Sequence, residues 1–209
     1  MSLSITPSQL VELTKAFHQG AREASTAISR WLNAPLTISV DAVDQCPLEQ
    51  AIAVLGTDDA PICMSLMEME GTLTGHMLLA FDDTSGLVVS DLLQAHAPGT
   101  ATSWGDIEVS CVQETMNIAG SAYLNGIARD LTERQGSAVE LVPSPPVFLR
   151  DFGESLLSSA FMDQAISSND VVFARTRFDL AGEPMRWTFL LIPDPASLSK
   201  LSEILTGLA

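Results

Sequence analysis

Apolar residues recur every three to four positions from Val112 through Met116, Ala119 and Tyr123 to Ile127. At about 100° per residue this stripe predicts one buried side of a long helix over 104–131. That stretch contains no proline, and after Gly105 at its start its two further glycines, Gly120 and Gly126, are isolated. Ser110, Glu114, Asn117 and Ser121 fall together on the opposite side. An acid and an amide three residues apart therefore share a wet ridge and point the same way. Taken alone, Glu-x-x-Asn is an ordinary pattern on a solvated helix face.

A second long helix is predicted over 6–33, with Thr6 as N-cap, Pro7 at N1 and Gln9 at N3, ended by Ala34-Pro35. Residues 36–40 alternate and predict a strand; 47–55 predict a short helix closed by Gly56. Strands over 61–69 and 75–81 are expected to form a hairpin through 70–74, and Asp82 or Asp83 to cap a helix ending at Leu93. His96 to Thr100 is the one breaker-rich connector.

After the connector the plan repeats. The long helix leads to a strand at 139–142, a short helix at 151–162, and strands at 171–180 and 185–192 that turn at 181–184. A closing helix follows, from Pro195 to about Leu205, capped by Asp194. The order helix, strand, helix, hairpin, helix thus occurs twice, which implies an internal duplication with repeats at about 6–95 and 104–208 inside one domain, 1–209. A half with three strands leaves an open edge that its twin can cover. The expected fold class is α+β: a pseudosymmetric duplicated unit with one continuous, largely antiparallel sheet and both long helices antiparallel on one face.

Hydrophobic content of 46% with 17% charge marks a globular chain. No apolar run approaches a membrane span, and the N-terminus lacks the basic and apolar regions of a secretory leader. Cys46, Cys63 and Cys111 are odd in number and far apart, which fits reduced thiols in a cytoplasmic protein. A net charge of −16 with only ten basic residues argues against nucleic acid or an anionic membrane as partner.

Competing chemistry is poorly supported. His18, His76 and His96 are dispersed, without metal-ligand spacing. Asp151-Phe152-Gly153 lacks the other kinase motifs and reads as a helix start. Ser197-x-x-Lys200 lacks the companion motifs of penicillin-binding enzymes, and 71–75 lacks the Lys-Ser/Thr of a phosphate-binding loop. The three tryptophans, at 31, 104 and 187, and the eight methionines are expected in the core. On the Glu114/Asn117 ridge no nucleophile is present and Asn is no base at neutral pH. Such a pair suits the positioning of a water by an amide that both donates and accepts.

Asn117-Ile118-Ala119-Gly120-Ser121-Ala122-Tyr123-Leu124-Asn125, followed by Pro143-Ser144-Pro145-Pro146, closely resembles the second active-site segment of CheC-type chemotaxis phosphatases, the CheC/CheX/FliY family. In that family a Ser or Asp, a Glu, an Asn and a distant Pro mark the site; here they are Ser110, Glu114, Asn117 and Pro143. The Asn-to-Pro spacing is a few residues longer than usual, which implies a longer loop around Gly136. The resemblance spans nearly the whole chain and implies two pseudosymmetric halves around a continuous sheet. It further implies a phosphatase acting on the aspartyl-phosphate of a CheY-like response regulator. Asn117 would orient the hydrolytic water, Glu114 would reach the regulator's active-site Lys, and Ser110 and Pro143 would support them. No cofactor of its own is expected, since Mg²⁺ would sit in the regulator. The alternative is a non-catalytic adaptor for a response regulator, a flagellar switch component or the receptor deamidase CheD. Relatives occur as monomers and homodimers.

Laying the first helix on the second at an offset of 99 residues puts Lys15 at the place of Glu114 and His18 at that of Asn117. Val11 matches Ser110, and Arg22 matches Ser121. Lys15 would repel the regulator's Lys where Glu114 attracts it. A single working site is therefore expected, in the second half.

Overall fold

The computed structural model describes residues 5–47, 50, 61–152, 155–156, 170–180, 183–185 and 187–206. The short helices expected at 47–55 and 151–162 lie largely outside these residues.

Helix α1 (Pro7–Leu32) begins as its sequence dictates: the Thr6 hydroxyl accepts from Gln9 N–H, the Gln9 side chain accepts from Thr6 N–H, and Pro7 stands at N1. It ends where Asn33 turns left-handed at φ 49°. Two serines of α1 then seat strand β1 (Leu36–Pro47). Ser29 Oγ both donates to Leu36 O and accepts from Leu36 N–H, while Ser25 Oγ accepts from Ile38 N–H. Strands β2 (Ile62–Gly71) and β3 (Gly75–Phe81) form the expected hairpin, and α2 (Asp83–Leu93) is capped by Asp82.

Helix α3 (Asp106–Gln135) is longer than the predicted span and closes on Gly136 at φ 73°. The extra spacing before Pro143 is therefore taken up partly by one more turn of helix. Strands β4 (Leu141–Pro143) and β5 (Val147–Asp151) both pair with the outer edge of β2. Strands β6 (Asp170–Leu180), β7 (Glu183–Met185) and β8 (Trp187–Pro193) precede α4 (Pro195–Thr206).

The expected side-by-side arrangement of the long helices is present. Glu12 of α1 pairs with Arg134 of α3, and Gly20 packs on Gly126. Contacts that climb α1 while descending α3 mean that the two run antiparallel. All five residues of the α3 stripe are buried. Gly120 rests on the sulfurs of Met67 and Met77, and Tyr123 packs on Phe17 and Phe189, with ring centroids 6.0 and 4.7 Å away. Most of the core lies between this helix pair and the strands.

The sheet differs from expectation. The strands form two ladders, β1-β6-β7 and β4-β2-β3-β8, rather than one. The interruption falls between β6 and β8, where the Thr176 hydroxyl, not a strand carbonyl, accepts from Phe189 N–H at 3.2 Å. Side chains close the seam, with Phe178 and Trp187 rings 5.2 Å apart. Across the centre β3 pairs antiparallel with β8, Leu78 opposite Leu190.

Two further features depart from the sequence reading. Trp31 is 40% exposed instead of buried. Asp91, inside α2, is wholly buried; its carboxylate accepts from the N–H groups of Gly99, Thr100 and Ala101 at 2.8 to 2.9 Å and so clamps the connector. Among the described residues no helix is long and apolar enough to cross a membrane.

Candidate functional site

Residues 141–151 would make one edge strand along β2 were it not for Pro145 and Pro146. Neither offers an N–H, so the ladder breaks after Pro143 and resumes at Val147, one residue out of step. Ser144 holds the break in place: its N–H donates to Glu68 O at 2.9 Å, and its hydroxyl accepts from Glu68 N–H at 2.8 Å. From the other side, Gln113 of α3 donates to Pro146 O at 3.0 Å. The proline loop is thus fixed to the sheet and to the helix.

Between this loop and α3 lies a depression of about 430 Å³ lined by Ser110, Gln113, Glu114, Asn117, Pro143, Pro145 and Pro146. All four residues singled out in the sequence border it. Ser110 and Glu114 are exposed and Asn117 is half-buried. Among the described hydrogen bonds and ion pairs, the Glu114 and Asn117 side chains have no protein partner, whereas the neighbouring Gln113 is committed to the loop. An open carboxylate and an open amide, one turn apart on a rigid helix, can meet a second molecule together. No described cluster of three or more His, Cys, Asp or Glu is placed to hold a metal ion.

Gln113 and Ser144 were not picked out from the sequence. Their importance depends on where the Pro-Pro break falls, which no local pattern states. A second concavity, of about 500 Å³, was also not foreseen. It is lined by residues including Leu87, Thr102, Ser103, Trp104 and Arg150. At its floor Asp83 Oδ1 accepts from Arg150 Nε, Trp104 Nε1 and the Cys63 thiol, and Asp83 Oδ2 accepts from Arg150 Nη2. The Arg150 guanidinium holds the Asp83 carboxyl well below the usual carboxylate range. Burial first, and then Asp83, push the Cys63 thiol far up. Wholly buried, that thiol lacks the solvent access that reactive cysteines need.

On α1 the positions laid against the ridge, Val11, Lys15, His18 and Arg22, are all exposed. Lys15 donates to Glu12 at 2.7 Å, and Arg22 donates to Gln19. No acid stands at the place corresponding to Glu114.

No protein-family model matches the chain. It is 23% identical to the CheY-P phosphatase CheC of Bacillus subtilis (strain 168), over 94% of this chain and 93% of that one. Its fold is similar to that of Thermotoga maritima FliY, with a TM-score of 0.73 at 20% identity over 96% and 97% of the two chains. It is also similar in fold to the FliM middle domain from H. pylori, with a TM-score of 0.65 at 15% identity over 96% and 99% of the two chains. The chain is thus similar to CheC along nearly its whole length and to FliY in fold, with Ser110, Glu114, Asn117 and Pro143 around one depression.

Proposed function

We propose that this chain hydrolyses the aspartyl-phosphate of a CheY-like response regulator at the Glu114/Asn117 depression. The observation that carries the reading is the open carboxylate and open amide on one face of α3, opposite a proline loop fixed at both ends. The Asn117 amide donates to and accepts from a water and aligns it with the phosphorus. Glu114 pairs with the regulator's Lys and sets the two molecules in register. Ser110 and Pro143 shape the border. The regulator brings the acyl-phosphate and its Mg²⁺, so this chain contributes alignment alone. Alignment is a large part of phosphoryl-transfer catalysis, in ideal cases about 7–11 kcal/mol. The CheC relative, named a CheY-P phosphatase, supports the same substrate.

The test is loss of label from phosphorylated candidate regulators. Asn117→Ala is expected to slow it about 100-fold, equivalent to about 2.7 kcal/mol. Unfolding free energy should stay within about 0.5 kcal/mol of the parent, because the side chain has no described partner. A fully active variant rules out the water-positioning role, and an unfolded one makes Asn117 structural.

One observation favours a second reading, that of an adaptor for a regulator, a flagellar switch component or CheD. The α1 ridge is exposed yet carries Lys15 and His18 in place of an acid and an amide. An adaptor binds its partner without accelerating loss of the label.

A further inference from the structure

Two polar side chains can align a reaction, but they do not hold a protein partner. A stable protein contact buries roughly 800 Å² per side around an apolar centre. Helix α3 carries a candidate centre on the same ridge. Ile107 is 60% exposed, more than any other large hydrophobic among the described residues. It precedes Glu114 by seven residues, about 10.5 Å along the axis and turned by only about 20°. Both side chains therefore stand on one line. Ile107 takes no part in the core, and a β-branched residue on an exposed helix face is a poor helix former. Its place has no folding rationale.

Beyond Ile107 the seam between α3 and β5 reaches the second concavity. Strand β5 runs beside the start of α3, Pro146 against Gln113 at one end and Phe148 against Trp104 at the other, with those rings 4.9 Å apart. The two concavities lie at the ends of this seam, one bordered by Pro146 and the other by Arg150, about 13 Å apart along the strand. Arg150 spends Nε and Nη2 on Asp83, while its Nη1 has no acceptor among the described hydrogen bonds. Hydroxyls of Thr102 and Ser103 border the same hollow. One end of the seam thus offers a carboxylate to a cation, and the other offers donors to an acceptor.

We infer that the regulator docks across both concavities, its phosphorylated end at Glu114/Asn117 and an acceptor-bearing loop at Arg150, Thr102 and Ser103, with Ile107 as the apolar anchor between them. This rests on the proposed function and adds to it the surface that holds the substrate and fixes its orientation. Carboxylate at one pole and donors at the other allow one direction of docking and disfavour the reverse.

The experiment uses the full chain and its Ile107→Asp and Thr102→Trp variants, both at exposed positions. Turnover is followed against phosphorylated regulator with Mg²⁺, and Kd is measured for regulator carrying beryllofluoride as acyl-phosphate mimic. Each variant is expected to raise KM and Kd about tenfold or more, with kcat at saturation unchanged. If the parent accelerates dephosphorylation and both variants keep its KM and Kd, the docking surface is refuted while the proposed activity stands. If the parent binds without accelerating, the activity fails and the Kd values alone decide the docking surface. If the parent neither binds nor accelerates, activity and docking surface fall together.

Discussion

Gly126→Ala sets helix propensity against packing, and the structure says which wins. In isolation the change favours the helix by about 1 kcal/mol. At this position, however, the added Cβ would lie 2.7 Å from Gly20 Cα, 2.9 Å from Gln19 O and 2.9 Å from Gly20 N. All three are backbone atoms of α1, so no side chain can swing aside. To restore an ordinary contact of 3.4 Å, α1 and α3 must separate by about 0.7 Å. A gap of that size forfeits about a quarter to a half of the dispersion energy of each contact along the crossing. Overpacking of this kind costs about 1–3 kcal/mol, and with immovable backbone on the far side the upper part of that range applies. The net expectation is a loss of about 1–2 kcal/mol.

Gly120→Ala in the same helix is the control. Its Cβ meets Met67 Sδ at 2.8 Å and Met77 Sδ at 3.3 Å, both on flexible side chains, so the helix gain should nearly cancel the cost or exceed it. Urea denaturation with unchanged m reads both variants on one scale. Gly126→Ala as stable as Gly120→Ala, or more stable than the parent, would refute the close-crossing argument.

For the single-site expectation, Lys15→Ala/His18→Ala should leave turnover near the parent level and Glu114→Ala/Asn117→Ala should remove it; equal losses sink the one-site reading. Cys63 should resist alkylation at neutral pH until the protein unfolds, because burial keeps it protonated, and rapid labelling of Cys63 in the native protein would contradict its placement. The Asp83 carboxyl is depressed from its ordinary 3.8, so the stability it contributes is present above that value and is lost as pH falls toward the depressed one. The Tm gap between parent and Arg150→Ala should therefore hold from neutral to mildly acid pH and close only in stronger acid. A gap that closes near neutrality would show that another group carries it.

Features specified by neighbouring residues were legible in the sequence. Thr6, Pro7 and Gln9 lie within one turn, and their cap forms as read; the Val112–Ile127 stripe repeats at the helical period and is buried throughout. That Ser110, Glu114 and Asn117 would border one depression was legible for the same reason, since helix geometry alone relates them; their role remains a proposal. Strand β5 was missed because its pairing depends on β2, some 80 residues away, and the two prolines before it masked the resumption of the ladder. The seam between β6 and β8 was illegible for another reason. A single hydroxyl, Thr176, replaces a backbone acceptor there, and a threonine in a strand is otherwise unremarkable. The arrangement of β1 with β6, β4 with β2 and β3 with β8 fits the duplication read from the element order, which we retain as a proposal.

The Asp91 clamp bears on how copies of this chain meet. Because β3 and β8 pair across the centre, an exchange of halves between two copies would set β3 of one against β8 of the other in this same register. Such domain swapping needs the connector between α2 and α3 to straighten into an open hinge. Straightening strips a wholly buried carboxylate of three N–H donors, each such bond contributing about 1.5–3 kcal/mol. Asp91 thereby keeps each copy's two halves paired with each other and disfavours an intertwined dimer.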